Sequence, residues 1–162
     1  MDHTHIHRFI AQSGDLSLWC QGLSDAQLDA RPVPNTWSMR QLVIHMLDSD
    51  LAAGHRMKRI AAEHMPLLIA YDETAFANTL YQSLDVVLVC DLFRLNRLHT
   101  GEVLRSLPDA AFQRSGIHNQ RGRLTLAEMV ALYVHHMDHH APFASAKRTA
   151  LGLAPIGTKG PG

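Results

Sequence analysis

The sequence predicts an all-α protein, specifically a four-helix bundle. Apolar residues recur at helical spacing through most of the 162 residues, and glycine and proline fall mainly where helices should end. Hydrophobic residues form 46% of the chain, enough for the core of a single domain of this length. Because no stretch alternates as a half-buried strand does, four amphipathic helices packed on one another are the simplest arrangement.

The first predicted helix runs from about His5 to Gly22, and its apolar stripe continues across Gly14. The connection after it, 23–36, contains two prolines, which disfavour helix in the residues before them. We therefore predict a constrained loop between the first two helices.

The second predicted helix begins at a capping box, Ser38 with Gln41, and ends near Pro66. Its predicted buried face consists of Met39, Leu42, Val43, Met46, Leu47, Met57 and Ile60. Its basic residues are predicted to form a solvated face, and they are Arg56, Lys58 and Arg59.

A third helical stretch runs from about Thr74 to Pro108, with a break predicted near Ser83. The polar segment 116–122 then leads to a second capping box, Thr125 with Glu128, which begins the fourth helix. Residues 1–152 are predicted to form one domain, and residues 153–162 a flexible tail.

Composition excludes several classes of partner and location. Fifteen basic and fifteen acidic residues balance exactly in number, so nucleic acid and anionic membrane surfaces are not expected partners. The longest apolar runs, 65–71 and 86–90, are far shorter than the roughly 20 residues of a membrane span. The N-terminus lacks the pattern of a secretory signal, and Cys20 and Cys90 do not form a disulfide framework, so a cytoplasmic location is predicted.

Histidine is the unusual residue type, with 12 copies, four of them in the segment 133–140. Side chains four residues apart on a helix can converge on one ion, and two such pairs exist: His135 with His139, and His136 with His140. The second pair shares its stripe with the apolar residues Met129, Leu132, Tyr133 and Phe143. We therefore predict that His136 and His140 face the bundle interior and that the other pair lies at the flank or surface.

A third metal ligand must come from elsewhere, because a catalytic zinc-type site usually has three protein ligands and one open position. From the pattern alone, His45 on the second helix is only somewhat favoured over His55, His99 and His118. His118 fits a place at a pocket mouth or a solvated loop equally well. A metal-free alternative stands beside these, since histidine pairs arise by chance in a histidine-rich chain.

In their order along the chain, these residues resemble the DinB/YfiT-like metalloenzyme family, which is related to bacillithiol S-transferases and mycothiol-dependent maleylpyruvate isomerase. The resemblance covers about His5 to Gly152. It rests on four segments, namely 34–38 (PNTWS), 45–50 (HMLDSD), 118–126 (HNQRGRLTL) and 133–140 (YVHHMDHH).

The resemblance implies an up-down-down-up bundle that binds one divalent metal ion, of zinc, nickel, iron or manganese, through His45, His136 and His140. It also implies a homodimer. One departure is the Ala141-Pro142 pair, where the family often has a basic residue and glycine. Pro142 removes a helical amide donor and is predicted to kink the helix beyond the ligands.

The function that the resemblance implies is an enzyme that transfers a low-molecular-weight thiol to a small-molecule electrophile, with the ion lowering the pKa of the thiol. Asp48 would then orient a ligand or move a proton, and Tyr133 would donate to a substrate oxygen. Three alternatives remain: a metal-dependent hydrolase, a non-catalytic metal-binding stress-response bundle, and a helical interaction domain without an ion.

Overall fold

The computed structural model describes residues 4–81 and 83–156. Within these ranges the helices are α1 (Thr4–Ala11), α2 (Asp15–Cys20), α3 (Asp25–Asp29), α4 (Met39–Ala62), α5 (Glu73–Thr79), α6 (Val86–Ser106) and α7 (Leu126–Ala150). Short 3-10 helices occupy Gln12–Gly14 and Asp109–Gln113. The strands β1 (Leu67–Leu68), β2 (Ser115–His118) and β3 (Gly122–Thr125) form one small sheet. The prediction of an all-α fold is confirmed, with this sheet as an addition to it.

Capping boxes begin the two longest helices, as predicted. At the start of α4, the Ser38 hydroxyl accepts from the amide of Gln41 at 3.2 Å, and the Gln41 side chain accepts from the amide of Ser38 at 3.1 Å. Thr125 and Glu128 form the same reciprocal pair at the start of α7. Each box gives partners to two amides that have none within the helix.

The helices α4 and α6 run in the same direction. Arg40, near the start of α4, donates to the carbonyl oxygen of Leu84, just before α6, at 2.6 Å. Farther along both helices, Arg97 on α6 donates to Asp50 on α4 at 2.9 Å. Parallel neighbours of this kind need a long connection, and residues 63–85 provide it.

The bundle consists of four helical passes, which are residues 4–20, α4, α6 and α7. The first pass runs parallel to α7. Arg8 donates to Asp138 at 2.8 Å, and farther along both elements Arg148 donates to the carbonyl oxygen of Trp19 at 3.0 Å. Arg8 precedes Trp19, and their partners follow the same order, since Asp138 precedes Arg148. The first and last passes therefore run in the same direction.

Contacts between α4 and α7 reverse this order. His45, early in α4, packs against His140, whereas Arg56, late in α4, contacts Tyr133, which precedes His140. The two helices are therefore antiparallel. Together the four passes follow the up-down-down-up order that the resemblance implies, so this part of the fold prediction is confirmed.

The small sheet corrects the prediction that the chain contains no strand. The strands β2 and β3 pair antiparallel through a turn in which Gly122 adopts a φ of 74°, and β1 pairs parallel to β2. Strands of four residues or fewer are too short for an alternating pattern to be detected in the sequence. The hairpin brings residues 118–121 over one end of the site described below.

The boundaries of two other predicted elements also need correction. The first helix is interrupted at Gln12–Gly14, and the loop 23–36 contains α3, which begins at a capping box of Ser24 with Gln27. The same Ser-x-x-Gln signature that marks α4 was thus present before α3. The helix α4 ends at Ala62 instead of near Pro66.

The predicted break near Ser83 is confirmed, since α5 ends at Thr79 and α6 begins at Val86. Ser83 itself adopts a left-handed φ of 59°. Only part of the apolar pattern on α6 faces the core. Its buried apolar members are Val86, Val89, Cys90, Phe93 and Leu104, whereas its exposed ones are Val87, Leu88, Leu92 and Leu95.

Two further predictions concern the C-terminal part of the chain. The helix α7 continues through Pro142 to Ala150. Of the tail predicted at 153–162, residues 157–162 lie outside the described part of the chain. In the ranges 4–81 and 83–156, no helix combines the length and apolar character needed to cross a membrane.

A buried arginine connects all four passes of the bundle. The side chain of Arg97 is 0% exposed and forms an ion pair with Asp50, which is 2% exposed. The same guanidinium donates to the Gln12 side chain at 3.0 Å and to the carbonyl oxygens of Phe9 and Tyr133 at 3.3 and 3.0 Å. One side chain of α6 therefore binds the first pass, α4 and α7.

Replacing Arg97 tests this role. In Arg97→Met the Asp50 carboxylate loses its buried counterion, so we expect the free energy of unfolding to fall by about 3–5 kcal/mol in urea denaturation. Arg94→Met removes an exposed arginine from the same helix and should change that value by less than about 0.5 kcal/mol. Equal unfolding midpoints for the two variants would contradict the role assigned to Arg97.

Candidate metal centre

Three histidines from two helices meet inside the bundle. His45 comes from α4, and His136 and His140 come from successive turns of α7. The ring centroids are 5.3 Å apart for His45 and His136, 5.1 Å for His45 and His140, and 4.6 Å for His136 and His140. One nitrogen from each ring lies within 4.8 Å of the others. The antiparallel packing of α4 on α7 thus assembles a cluster from residues far apart in sequence.

Burial separates His45 from His55 and His99, two of the histidines that the pattern left open. His118 is also buried, but it lies on β2 and is not part of the three-histidine group. His45 is 1% exposed, whereas His55 and His99 are exposed. On α7, His135 and His139 are also exposed, in agreement with the predicted orientation of the two histidine pairs. Tertiary packing therefore distinguishes His45 from His55 and His99.

All three clustered histidines are held in the neutral form. Burial lowers the pKa of His45 to about 4 and that of His140 to about 4. Burial and the neighbouring rings lower the pKa of His136 to about 3. Neutral imidazole is the form that coordinates a metal ion, so the cluster needs no deprotonation at neutral pH.

The chemistry of these donors fits a divalent ion. The Nδ1 atoms of His45 and His140 are buried and have no hydrogen-bond partner within the described residues. Buried polar atoms without a partner are costly, and coordination of an ion by these rings offsets such a cost. The three ring nitrogens lie close enough together that His45, His136 and His140 would hold the same ion.

A cavity of about 540 Å³ opens beside the cluster. His136 and His140 contribute to one wall, and Arg56 of α4 lines it as well. His118 of β2 and Arg121 of the hairpin turn also line it, from the sheet. The placement of His118 at this pocket agrees with the first of its two predicted positions.

Tyr133, predicted to donate to a substrate oxygen, lines this pocket next to the cluster. Its ring lies 5.9 Å from that of His136, and its hydroxyl accepts from Arg56 at 2.9 Å. Burial raises the pKa of Tyr133, which keeps the phenol protonated at neutral pH. A protonated hydroxyl directed into a pocket is able to donate to a ligand.

Asp48, the other residue predicted to act in catalysis, lies farther from the pocket. Its carboxylate is next to Tyr81, and burial raises the pKa of Asp48. Within the residues that the structure describes, no hydrogen bond joins it to His45 or to the other two histidines. A role in orienting a ligand therefore has no direct contact to support it.

Two residues near the cluster were not identified from the sequence. Trp37 packs on the ring of His45 with centroids 4.9 Å apart. Arg56, predicted to lie on a solvated face with Lys58 and Arg59, is instead 8% exposed, because residues 69–71 and the sheet cover it. A sequence signal existed, since Arg56 follows His45 by three helical turns and so occupies the same face of α4.

Comparison with known proteins identifies the family to which this chain is similar. A family model described as the DinB superfamily matches residues 8–143. A "Putative metal-dependent hydrolase" of Bacillus licheniformis is 32% identical over 132 residues, covering 80% of this chain and 75% of the relative. The "Putative metal-dependent hydrolase YfiT" of Bacillus subtilis is 33% identical over 121 residues, covering 73% and 67%.

A solved structure has a fold similar to that of this chain. YfiT from Bacillus subtilis, described as "a probable metal-dependent hydrolase with an unusual four-helix bundle topology", superposes with a TM-score of 0.86 at 26% identity. The superposition covers 93% of this chain and 87% of that chain.

The neutral histidines predict a pH dependence of stability. The pKa of His45 in the folded state, about 4, lies below its ordinary value of 6.5. The stability that the neutral ring confers is therefore complete above pH 6.5 and is lost as the pH falls from 6.5 towards 4. For His45 alone, the free energy of unfolding should fall by up to about 1.4 kcal/mol per pH unit in this window.

Urea denaturation of chelator-treated protein at pH values across this window measures the effect. His45→Gln cannot take up this proton, so its free energy of unfolding should depend less steeply on pH. His99→Gln removes an exposed histidine and should retain the slope of the parent protein. Identical slopes for the parent and His45→Gln would refute the assignment of His45 as a buried neutral ring.

Proposed function

The chain belongs to the DinB superfamily, and from that premise we propose that it is a divalent-metal-dependent enzyme acting on a small molecule. The observation that carries this proposal is the cluster of His45, His136 and His140 beside an accessible cavity. A divalent ion bound there supplies a nucleophile by lowering the pKa of a bound water or thiol. Three nitrogen ligands with an open side are typical of catalytic zinc sites.

A purely structural role for the ion is less consistent with this geometry. Structural zinc sites are usually closed by four protein ligands. Among the described residues, no cysteine, carboxylate or fourth histidine joins the three-histidine group. The apolar core on both sides of the cluster also contains most of the large buried side chains, so folding does not depend on an ion alone.

The chain's own residues have defined tasks in this scheme. The protonated hydroxyl of Tyr133 donates to an oxygen of the substrate on which negative charge develops. Arg56 holds that hydroxyl in place through its 2.9 Å hydrogen bond. The raised pKa of Asp48, which lies beside Tyr81, supports a role in proton transfer more than a role in orienting the histidines.

Hydrolysis is the reaction that the names of the relatives support, and an ion held by His45, His136 and His140 would activate water for it. Thiol transfer to a small electrophile is the second candidate. It is favoured by the size of the cavity, since about 540 Å³ is large enough for a thiol together with an electrophile.

Metal content is the first test of the proposal. Untagged protein purified without chelator should contain close to one divalent ion per chain by elemental analysis. His45→Ala and His136→Ala should each lose the ion while circular dichroism shows that the helices remain. His99→Ala, which removes an exposed histidine, should keep it. Failure of the parent protein to take up zinc, nickel or manganese would contradict the proposed site.

Turnover then distinguishes the two reactions. We expect metal-loaded protein to cleave members of a panel of small esters and amides without added thiol, and His136→Ala to show no cleavage. Tyr133→Phe should retain its metal but lower kcat by on the order of 10²-fold, because one hydrogen-bond donor to the transition state is lost. Turnover that occurs only with a thiol and an electrophile would replace hydrolysis by the second candidate.

A further inference from the structure

The pocket beside the three histidines has a cationic wall. Arg56 reaches it from α4, and Arg121 reaches it from the turn between β2 and β3. Burial and the positive charges of Arg56 and Arg121 lower the pKa of His118, which lines the same pocket. Two positive side chains from different parts of the chain therefore face one space.

Arg56 is buried without a negative partner. Its guanidinium donates to the phenol oxygen of Tyr133 at 2.9 Å and to the carbonyl oxygen of Ile69 at 2.6 Å, and both acceptors are neutral. Across residues 4–81 and 83–156, no carboxylate oxygen lies within 4.0 Å of Arg56 or of Arg121. Glu73 also lines the pocket, but it forms no ion pair with either of them.

Two other buried arginines of this chain have a carboxylate partner. Arg97 pairs with Asp50 at 2.9 Å, and Arg40 pairs with Asp29 at 2.6 Å. Arg148 also lacks a carboxylate partner and donates to the carbonyl oxygens of Trp19 and Gln21, but it does not line the pocket. Because an uncompensated buried charge is destabilising, the position of Arg56 in the wall of the pocket points to an anion that arrives with a ligand.

We propose that Arg56 and Arg121 form a binding subsite for an oxyanion, so that the substrate of this pocket is a small molecule bearing a carboxylate or phosphate group. The anionic group lies between the two guanidinium groups, and the reacting atom lies at the three-histidine end. Guanidinium forks suit either anion because they donate parallel hydrogen bonds to two oxygens. This inference rests on the proposed function, and it names the substrate class for the same pocket.

Calorimetric titration of the whole protein, stripped of metal with a chelator, tests the subsite apart from the ion. The probes are glutarate, a dicarboxylate, and glutaramide, its neutral analogue. We expect glutarate to bind and glutaramide not to bind. Arg121→Gln should weaken glutarate binding by about tenfold or more, since a hydrogen bond to a charged group is lost. Arg94→Gln, an exposed arginine outside the pocket, should leave the affinity unchanged.

Arg56→Gln should weaken glutarate binding at least as much, and Arg121→Gln alone decides the test if circular dichroism shows Arg56→Gln to be unfolded. Inorganic phosphate is then added in competition. Displacement of glutarate extends the ligand class to phosphates, and absence of displacement restricts it to carboxylates. Equal binding of glutarate and glutaramide, or unchanged affinity in Arg121→Gln, would overturn the subsite.

Zinc uptake by the same samples keeps the two proposals distinguishable. Normal zinc uptake without preferential glutarate binding rejects the oxyanion subsite and leaves the metal centre in place. Glutarate binding that depends on Arg121 in a protein without zinc uptake supports the subsite and rejects the proposed metal-dependent function.

Discussion

The buried guanidinium of Arg97 fixes how α4, α6, α7 and the first pass pack on one another. It lies at the centre of the bundle, covered by the rings of Phe9 and Phe93 at 4.3 and 4.8 Å, and its ion pair with Asp50 locks α6 against α4. Its bond to the Tyr133 carbonyl sets the position of α7 in the same frame. Since a buried charge tolerates little displacement from its partners, the four passes have few alternative ways of packing.

The geometry of the three-histidine cluster follows from this packing of the helices. Once α7 is held at Tyr133, the next inward turns of the helix present His136 and His140 to His45 on the antiparallel α4. The surrounding apolar packing keeps the three rings neutral. Arg56, also on α4, directs its positive charge into the pocket and lacks the carboxylate partner that Arg97 has. The bundle therefore contains one arginine with a structural ion pair, Arg97, and one that is available to a ligand, Arg56.

Much of the fold and the inward histidine pair on α7 could be predicted from the sequence because the relevant signals are local. Capping boxes at Ser38 and Thr125 began the correct helices, and the stripe containing His136 and His140 was correctly assigned to the interior. The sheet escaped detection since its strands are too short to show a period. The prediction for Arg56 failed because the residues that cover it lie elsewhere in the chain.

Residue spacing was enough to predict the long helices α4, α6 and α7 and the histidine pair on α7, since both depend on a few turns of one helix. Packing between distant segments determines which third histidine joins that pair, that Arg97 and Asp50 form a buried pair, and that Arg56 faces a pocket. The physical reason is that burial and charge pairing are properties of contacts between distant segments. A charged side chain carries the same local signal whether another part of the chain covers it or leaves it in water.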